Sequence, residues 1–120
     1  MKILLAQNSL YYPAHGGGDK SNRLLLEGLA GLGHQCRALA RISVFGDDPH
    51  REYLDQLASR GITPTTSSGV VHFTRNQVDV SVVTNANLRT EFGRLIDEFA
   101  PDVILTSTDD PNQLLLEAAL

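Results

Sequence analysis

Residues 1–41 read MKILLAQNSLYYPAHGGGDKSNRLLLEGLAGLGHQCRALAR, and this stretch decides the fold. Ile3 to Gln7 is short and apolar and is bounded by Asn8-Ser9. That predicts a central parallel strand, buried on both faces. Leu10 to Gly18 follows neither strand nor helix spacing, carries Pro13 and three consecutive glycines, and predicts a loop. From about Asp19 to Leu32 the spacing becomes helical. Leu25, Leu29 and Leu32 recur at four and three, and Leu24, Leu26 and Ala30 widen the stripe. Gly33 supplies the cap, and Gly28 and Gly31 are expected to allow close packing on a sheet. Residues 35–42, QCRALARI, then predict a second strand, which completes a β-α-β unit.

The same kind of reading extends down the chain. FGDDPH, residues 45–50, is a loop, and Pro49 opens a helix running to about Arg60, capped by Asp47 or Asp48 and ended by Gly61. Residues 62–68 are polar, and Pro64 argues against a central strand there. Val70 to Thr74 and Val78 to Thr84 predict a hairpin across Arg75-Asn76-Gln77, expected at a sheet edge because it is less apolar than the first strand. Asn87 to Ala100 predicts a helix with Phe92, Leu95, Ile96 and Phe99 on one stripe, stopped by Pro101. DVILTS reads as another buried parallel strand, and a further helix is expected from Leu114. The expected class is α/β: Rossmann-like, doubly wound, with a mainly parallel sheet and a β-hairpin near one edge.

Composition narrows the function classes. The 120 residues suffice for one domain, and a net charge of −4 with scattered Lys and Arg argues against a nucleic-acid surface. A single cysteine, Cys36, forms no internal disulfide and reads as a small buried core residue, in keeping with a reducing cytoplasm. The apolar runs are far shorter than the roughly 20 residues of a membrane span, and Ile3 to Ala6 is too short for a leader. The start therefore reads as native. The end, PNQLLLEAAL, lies inside a helical pattern with no Gly cap, so a longer protein is expected to continue past Leu120.

In an open α/β sheet, ligands bind beyond the carboxyl ends of the strands, here Asn8 to Gly18, Ser43 to Pro49 and Thr106 to Asn112. The glycines stand in the first of these and lead into a helix N-terminus, where free N–H groups favour an anion and bare backbone allows close approach. Named motifs fit poorly. GGGDKS places Asp19 where a phosphate-binding loop of the G-x-x-x-x-G-K-[ST] type allows none. A dinucleotide fingerprint starting at Gly16 needs glycine where Ser21 stands. His15-Gly16-Gly17-Gly18 matches the esterase oxyanion loop literally, but no G-x-S-x-G elbow occurs and such a loop follows a third strand. Asp109 and Asp110 read either as paired carboxylates or as a helix cap beside Pro111. Of the four histidines, His34 and His72 read as structural; His15 and His50 fall in candidate loops, and no spacing links them as metal ligands.

Residues 1–41 resemble the opening of the N-terminal domain of GT-B fold glycosyltransferases of family 4. Those enzymes have an apolar first strand, P-x-x-G-G-x-E, a Leu/Ala-rich helix, and G-H-x-V into the second strand. Pro13, Gly16 and Gly17 match at the same spacing, Asp19 replaces the usual Glu, Gly33-His34 match the helix exit, and Cys36 replaces Val. VVHFTRNQVDVSVV and APDVILTSTDDPN resemble the hairpin and the P-D-V strand of that domain, although Thr106-Ser107-Thr108 stand where a histidine is common. The resemblance implies the acceptor-side half of a retaining enzyme that moves a sugar from a nucleotide-diphosphate donor to a glycan, lipid or small-molecule acceptor. It implies Gly16, Gly17, Gly18 and Asp19 as the donor-phosphate and acceptor loop, with His15, Asp109 and Asp110 as candidate acceptor contacts. No metal or other cofactor is expected, and the chain's partners are its own C-terminal donor domain, the nucleotide sugar and the acceptor. The family's catalytic histidine and paired glutamates lie beyond these residues, so the chain alone is expected to be inactive. The resemblance points to the cytoplasm and to peripheral contact with the inner face of a membrane. The competing readings are another Rossmann-type sugar-nucleotide enzyme and a non-catalytic α/β binding module.

Overall fold

The structure, a computed structural model, describes residues 1–13, 17–42, 48–84 and 87–106. Its elements run β1 (Lys2–Ala6), α1 (Gly17–Gly31), β2 (Gln35–Arg41), α2 (Pro49–Ser59), β3 (Thr65–Ser67), β4 (Val70–Arg75), β5 (Val78–Val83), α3 (Leu88–Phe99) and β6 (Val103–Thr106). The six strands form one mixed sheet in the order β3-β4-β5-β2-β1-β6. β6, β1, β2 and β5 are parallel neighbours, while β4 and β3 add antiparallel to β5. The class is therefore α/β, and the layout is consistent with a Rossmann-like sheet.

Two apolar layers sandwich the sheet. Alternate residues of β1 and β2, Ile3, Leu5, Cys36, Ala38 and Ala40, pack with Leu26 and Ala30 of α1 and with Tyr53 and Leu57 of α2. The intervening residues Leu4, Ala6 and Leu39 pack with Leu88, Phe92, Leu95 and Phe99 of α3. Helices thus cover both faces, and both faces of the central strands are apolar as expected for buried parallel strands. Phe92 alone, fully buried, contributes roughly 1.5–3 kcal/mol by leaving water. Asp48 caps α2, its side chain accepting the Arg51 N–H at 3.2 Å, and Pro49 occupies the first turn. Ala100, at φ +50°, ends α3 just before Pro101.

Four expectations need correction. The hairpin is not itself the edge: β5 lies inside the sheet against β2, and the edge is β3, which begins directly after Pro64. β5 is apolar enough for that place, since Val78, Val80, Val82 and Val83 are all buried. The buried stripe of α1 is not Leu25, Leu29 and Leu32. It runs through Leu26 and Ala30, with Leu29 partly covered, and leaves Leu24, Leu25 and Leu32 at 53%, 56% and 79% exposed. Gly28 and Gly31 face the same open side, where an added Cβ would meet nothing within 4 Å, so neither serves close packing on the sheet. β6, expected to be buried, is half-buried at Val103, Ile104 and Leu105, because it is hydrogen-bonded only to β1 among the described strands. Cys36 is buried as expected, and burial pushes its thiol up. The helix expected from Leu114 lies outside the described residues.

Candidate functional site

The topology marks one place on the carboxyl edge. From β1 the chain passes through α1 to β2 on one side, whereas from β5 it crosses through α3 to β6 on the other side of β1. The strand order reverses between β1 and β6, and beyond the carboxyl ends of such strands an open α/β sheet has its binding crevice. Gln7, Asn8 and Ser9 leave β1 there, Arg41 and Ile42 leave β2, and Thr84 leaves β5. The N-termini of α1, α2 and α3 follow β1, β2 and β5 on the same edge.

The loop after β1 is fastened at several points. Gln7, fully buried, donates from Nε2 to the Leu10 carbonyl at 2.8 Å and accepts from Asn22 Nδ2 at 3.2 Å. Ser9 Oγ donates to Asp19 Oδ1 at 2.7 Å, tying the strand exit to the first turn of α1. Tyr53 Oη of α2 donates to the Tyr12 carbonyl at 2.7 Å. Arg23 and Arg75 both stand over the Tyr12 ring, at 5.6 and 4.0 Å from its centroid, and both pair with Glu27. The Tyr11 hydroxyl and Arg23 Nε are buried without a partner among the described residues. Burial, followed by the Glu27 carboxylate, pushes the Tyr11 phenol up, and burial alone does the same for Tyr53. These contacts tie residues 7–12 to α1, α2 and β4, beside the start of a fifteen-residue helix.

On the other face of the sheet, Arg41 Nε and Nη2 both donate to the Asn8 carbonyl, at 3.3 and 3.1 Å. Asn8 is 6% exposed, and its Oδ1 has no hydrogen-bond partner among the described residues. A small depression of about 260 Å³ lies further along the edge, walled by Ile42, Asp48, Pro49, His50 and Thr84. Another of about 430 Å³ lies between the β3–β4 turn and α3, bordered by Ser67, Ser68, His72 and Asn87. A third, about 420 Å³, lies at the opposite, amino edge beside His34, Cys36 and Phe99, away from the strand ends that bind ligands in such sheets.

Of the residues singled out in the sequence, Gly17, Gly18 and Asp19 open α1, and Asp19 is held by Ser9. His15, Gly16, Asp109 and Asp110 lie outside the described residues. His50 belongs to the first turns of α2 and borders the small depression. Among the described residues no group of histidines, cysteines and carboxylates is placed to hold a metal ion. No described helix is long and apolar enough to cross a membrane. The sequence reading missed Gln7, Asn22 and Arg41. Its available signal was the switch from an apolar strand to Gln7-Asn8-Ser9, three polar residues that then become buried or half-buried. Family models, curated proteins and solved structures alike gave no match to this chain.

Proposed function

We propose that the chain is the N-terminal, acceptor-side domain of a retaining GT-B fold glycosyltransferase of family 4. Its donor half would follow Leu120, and it would work in the cytoplasm or at the inner face of a membrane. The observation that supports this reading is the position of the glycine-led start of α1. It lies at the carboxyl edge beside β1, and the spacing Pro13-x-x-Gly16-Gly17-x-Asp19 runs into it. The first N–H groups of a helix have no intrahelical acceptor and lie at the positive end of its dipole. A diphosphate brought against them by a second domain would find its leaving-group charge stabilised by groups already fixed in place. The Ser9–Asp19 and Gln7–Asn22 hydrogen bonds tie the exit of β1 to the first turns of α1, where that approach would be made. No metal is required for such stabilisation, which agrees with the metal-independent chemistry the resemblance implies.

The test uses the protein encoded by the whole reading frame with a panel of nucleotide-diphosphate sugars and sugar, lipid and small-molecule acceptors. Sugar transfer with retained anomeric configuration is the expected result, and no transfer with any donor would overturn the reading. Gly17→Val should lower kcat/KM without unfolding the domain, because a branched side chain would keep the diphosphate from approaching bare backbone. Unchanged kinetics in that variant would remove the loop from the mechanism. The 120-residue chain by itself should show no turnover.

A further inference from the structure

The depression between the β3–β4 turn and α3 is built from three elements. Strand alternation sets its floor. Val71 and Phe73 face α1 and α2 while Val70 faces α3, so His72 lies on the α3 face with Val70. Ser67 and Ser68 of the turn border one side, and Asn87, Thr90, Glu91 and Arg94 of α3 border the other. Ser67, Ser68, Asn87 and Thr90 are all exposed, so the depression opens to solvent. An added Cβ at Gly69 would stand 4.0 Å from Asn87 Nδ2, which shows how near the turn comes to the start of α3. β4 runs antiparallel to β5 with Val71 beside Val82, and this places the depression at the carboxyl edge of the sheet, where α/β sheets take ligands. Its volume of about 430 Å³ falls among those of small-molecule sites, roughly 300–1,000 Å³.

The lining has unused bonding capacity. Half-buried His72 uses Nδ1 on Ser81 Oγ at 3.1 Å, which fixes the ring against β5, and its Nε2 makes no hydrogen bond among the described residues. Asn87 turns its amide to Thr84 Oγ1 at 3.2 Å and does not cap α3, so the first N–H groups of that helix receive no side-chain cap from it. Glu91, 7% exposed, brings a carboxylate that already holds Arg94. The charges select the ligand. The Glu91 carboxylate opposes an anion, while Arg94 and the positive end of α3 oppose a cation. With that ion pair cancelling, what remains is three hydroxyls, an amide and an imidazole, groups that both donate and accept. A hydroxyl on a ligand does the same.

We propose that this cavity binds the ring of an uncharged sugar. Its neighbouring hydroxyls meet His72 Nε2, the first N–H groups of α3 and the Ser68 and Thr90 hydroxyls, and its C–H edge rests on Val70. The site does not depend on the glycosyltransferase reading: it lies on the face opposite α1 and shares no residue with the glycine loop.

Nuclear magnetic resonance titration of the 120-residue chain with glucose, galactose and mannose tests it. At least one of them should shift the Ser68 and Thr90 amides and the His72 ring signals to saturation. The 6-phosphate and 2-amino forms of whichever sugar binds best should bind more weakly than the neutral ring. Its methyl glycosides distinguish two sources: binding equal to that of the free sugar assigns the end of a glycan, and loss of binding assigns the free sugar. His72→Gln and Thr90→Val should each weaken binding about two- to tenfold, the worth of one hydrogen bond. Thr90 is exposed, so its variant keeps the test decisive should His72→Gln disturb the sheet. Asp97→Asn, on α3 but outside the cavity, should change nothing. No saturable shift with any of the three sugars, tighter binding of the 6-phosphate, or an affinity unmoved by both variants would overturn the inference.

Discussion

Arg75, at the end of β4, donates from Nη1 to Glu27 Oε2 of α1 at 2.6 Å, across 48 residues of chain, and lies 4.0 Å from the centroid of the Tyr12 ring. One side chain thus joins the hairpin, the first helix and the loop that enters the candidate site. Arg75→Ala removes a stacked cation and half of the neutralisation of Glu27, whose side chain is only 10% exposed. The expected cost is about 1–2 kcal/mol, read as a lower denaturation midpoint at unchanged m-value. Faster amide exchange at Tyr11 and Tyr12 should accompany it. Unaltered exchange there would mean that the loop is held without Arg75.

Two glycines of neighbouring positions should respond with opposite signs. Gly28 sits inside α1 with nothing within 4 Å of an added Cβ, so Gly28→Ala should stabilise by roughly 0.5–1 kcal/mol. Gly33 follows the helix at φ +97°, where an L side chain is strained. Gly33→Ala should therefore destabilise by about 1 kcal/mol or more. Thermal melts of the two variants check this, and a shift in the same direction would contradict it.

Glu91 is 7% exposed and is bound by Arg94, Nε reaching its two oxygens at 2.9 and 3.0 Å. Those bonds and the one to Glu98 hold the Arg94 guanidinium charge more firmly than usual. Arg94→Met would leave a buried carboxylate without its partner and should cost about 1–3 kcal/mol. The double variant Glu91→Leu, Arg94→Met should recover most of that loss, because it removes the buried carboxylate together with its half-exposed partner. Equal stability of the single and double variants would show that water already solvates Glu91.

Alkaline pH should unfold the protein through two phenols. Tyr11 and Tyr53 are fully inaccessible, and burial raises both above the ordinary phenol value of about 10. Below that value both states hold the protons and stability is whole. Above it the unfolded chain loses protons that the folded chain keeps, so stability falls as pH rises. Phenolate absorbance from these two residues should appear together with the loss of circular dichroism. Ionisation of Tyr53 in advance of unfolding, detected in a Tyr11→Phe, Tyr12→Phe background, would contradict the burial argument.

The β-α-β start, the second helix with its Asp48 cap and the hairpin were legible because each has a local period or a local stop signal. The phase of α1 was not. Leu24, Leu25, Leu26, Leu29 and Leu32 cover most of a helix circumference, and only the packing of Leu26 and Ala30 on the sheet selects a face. The interior place of β5 also escaped, because the pairing of Cys36 with Val78 joins residues far apart in the chain. At the candidate site, glycines before a helix were visible as a pattern. Arg41 was not, since its contact with the Asn8 carbonyl exists only once β1 and β2 are paired in register, Ala6 beside Leu39. Glu91 was hidden for a different reason: it lies within the apolar stripe of α3, where a carboxylate is tolerated only because Arg94 stands three residues on.

The pairing of β1 with β6 sets Ile3 beside Val103. During synthesis at about 5–20 residues per second, the later residue is made at least about 5 s after the earlier one. For that interval β1, whose Leu4 and Ala6 end up fully buried, has one edge open to any other extended chain. Its neighbour β2 arrives early, but the strand that closes it arrives late. The time a nascent chain spends vulnerable to misassembly is therefore set by how fast the ribosome reaches β6, which makes slow translation and high expression the two conditions under which this protein is most prone to aggregate.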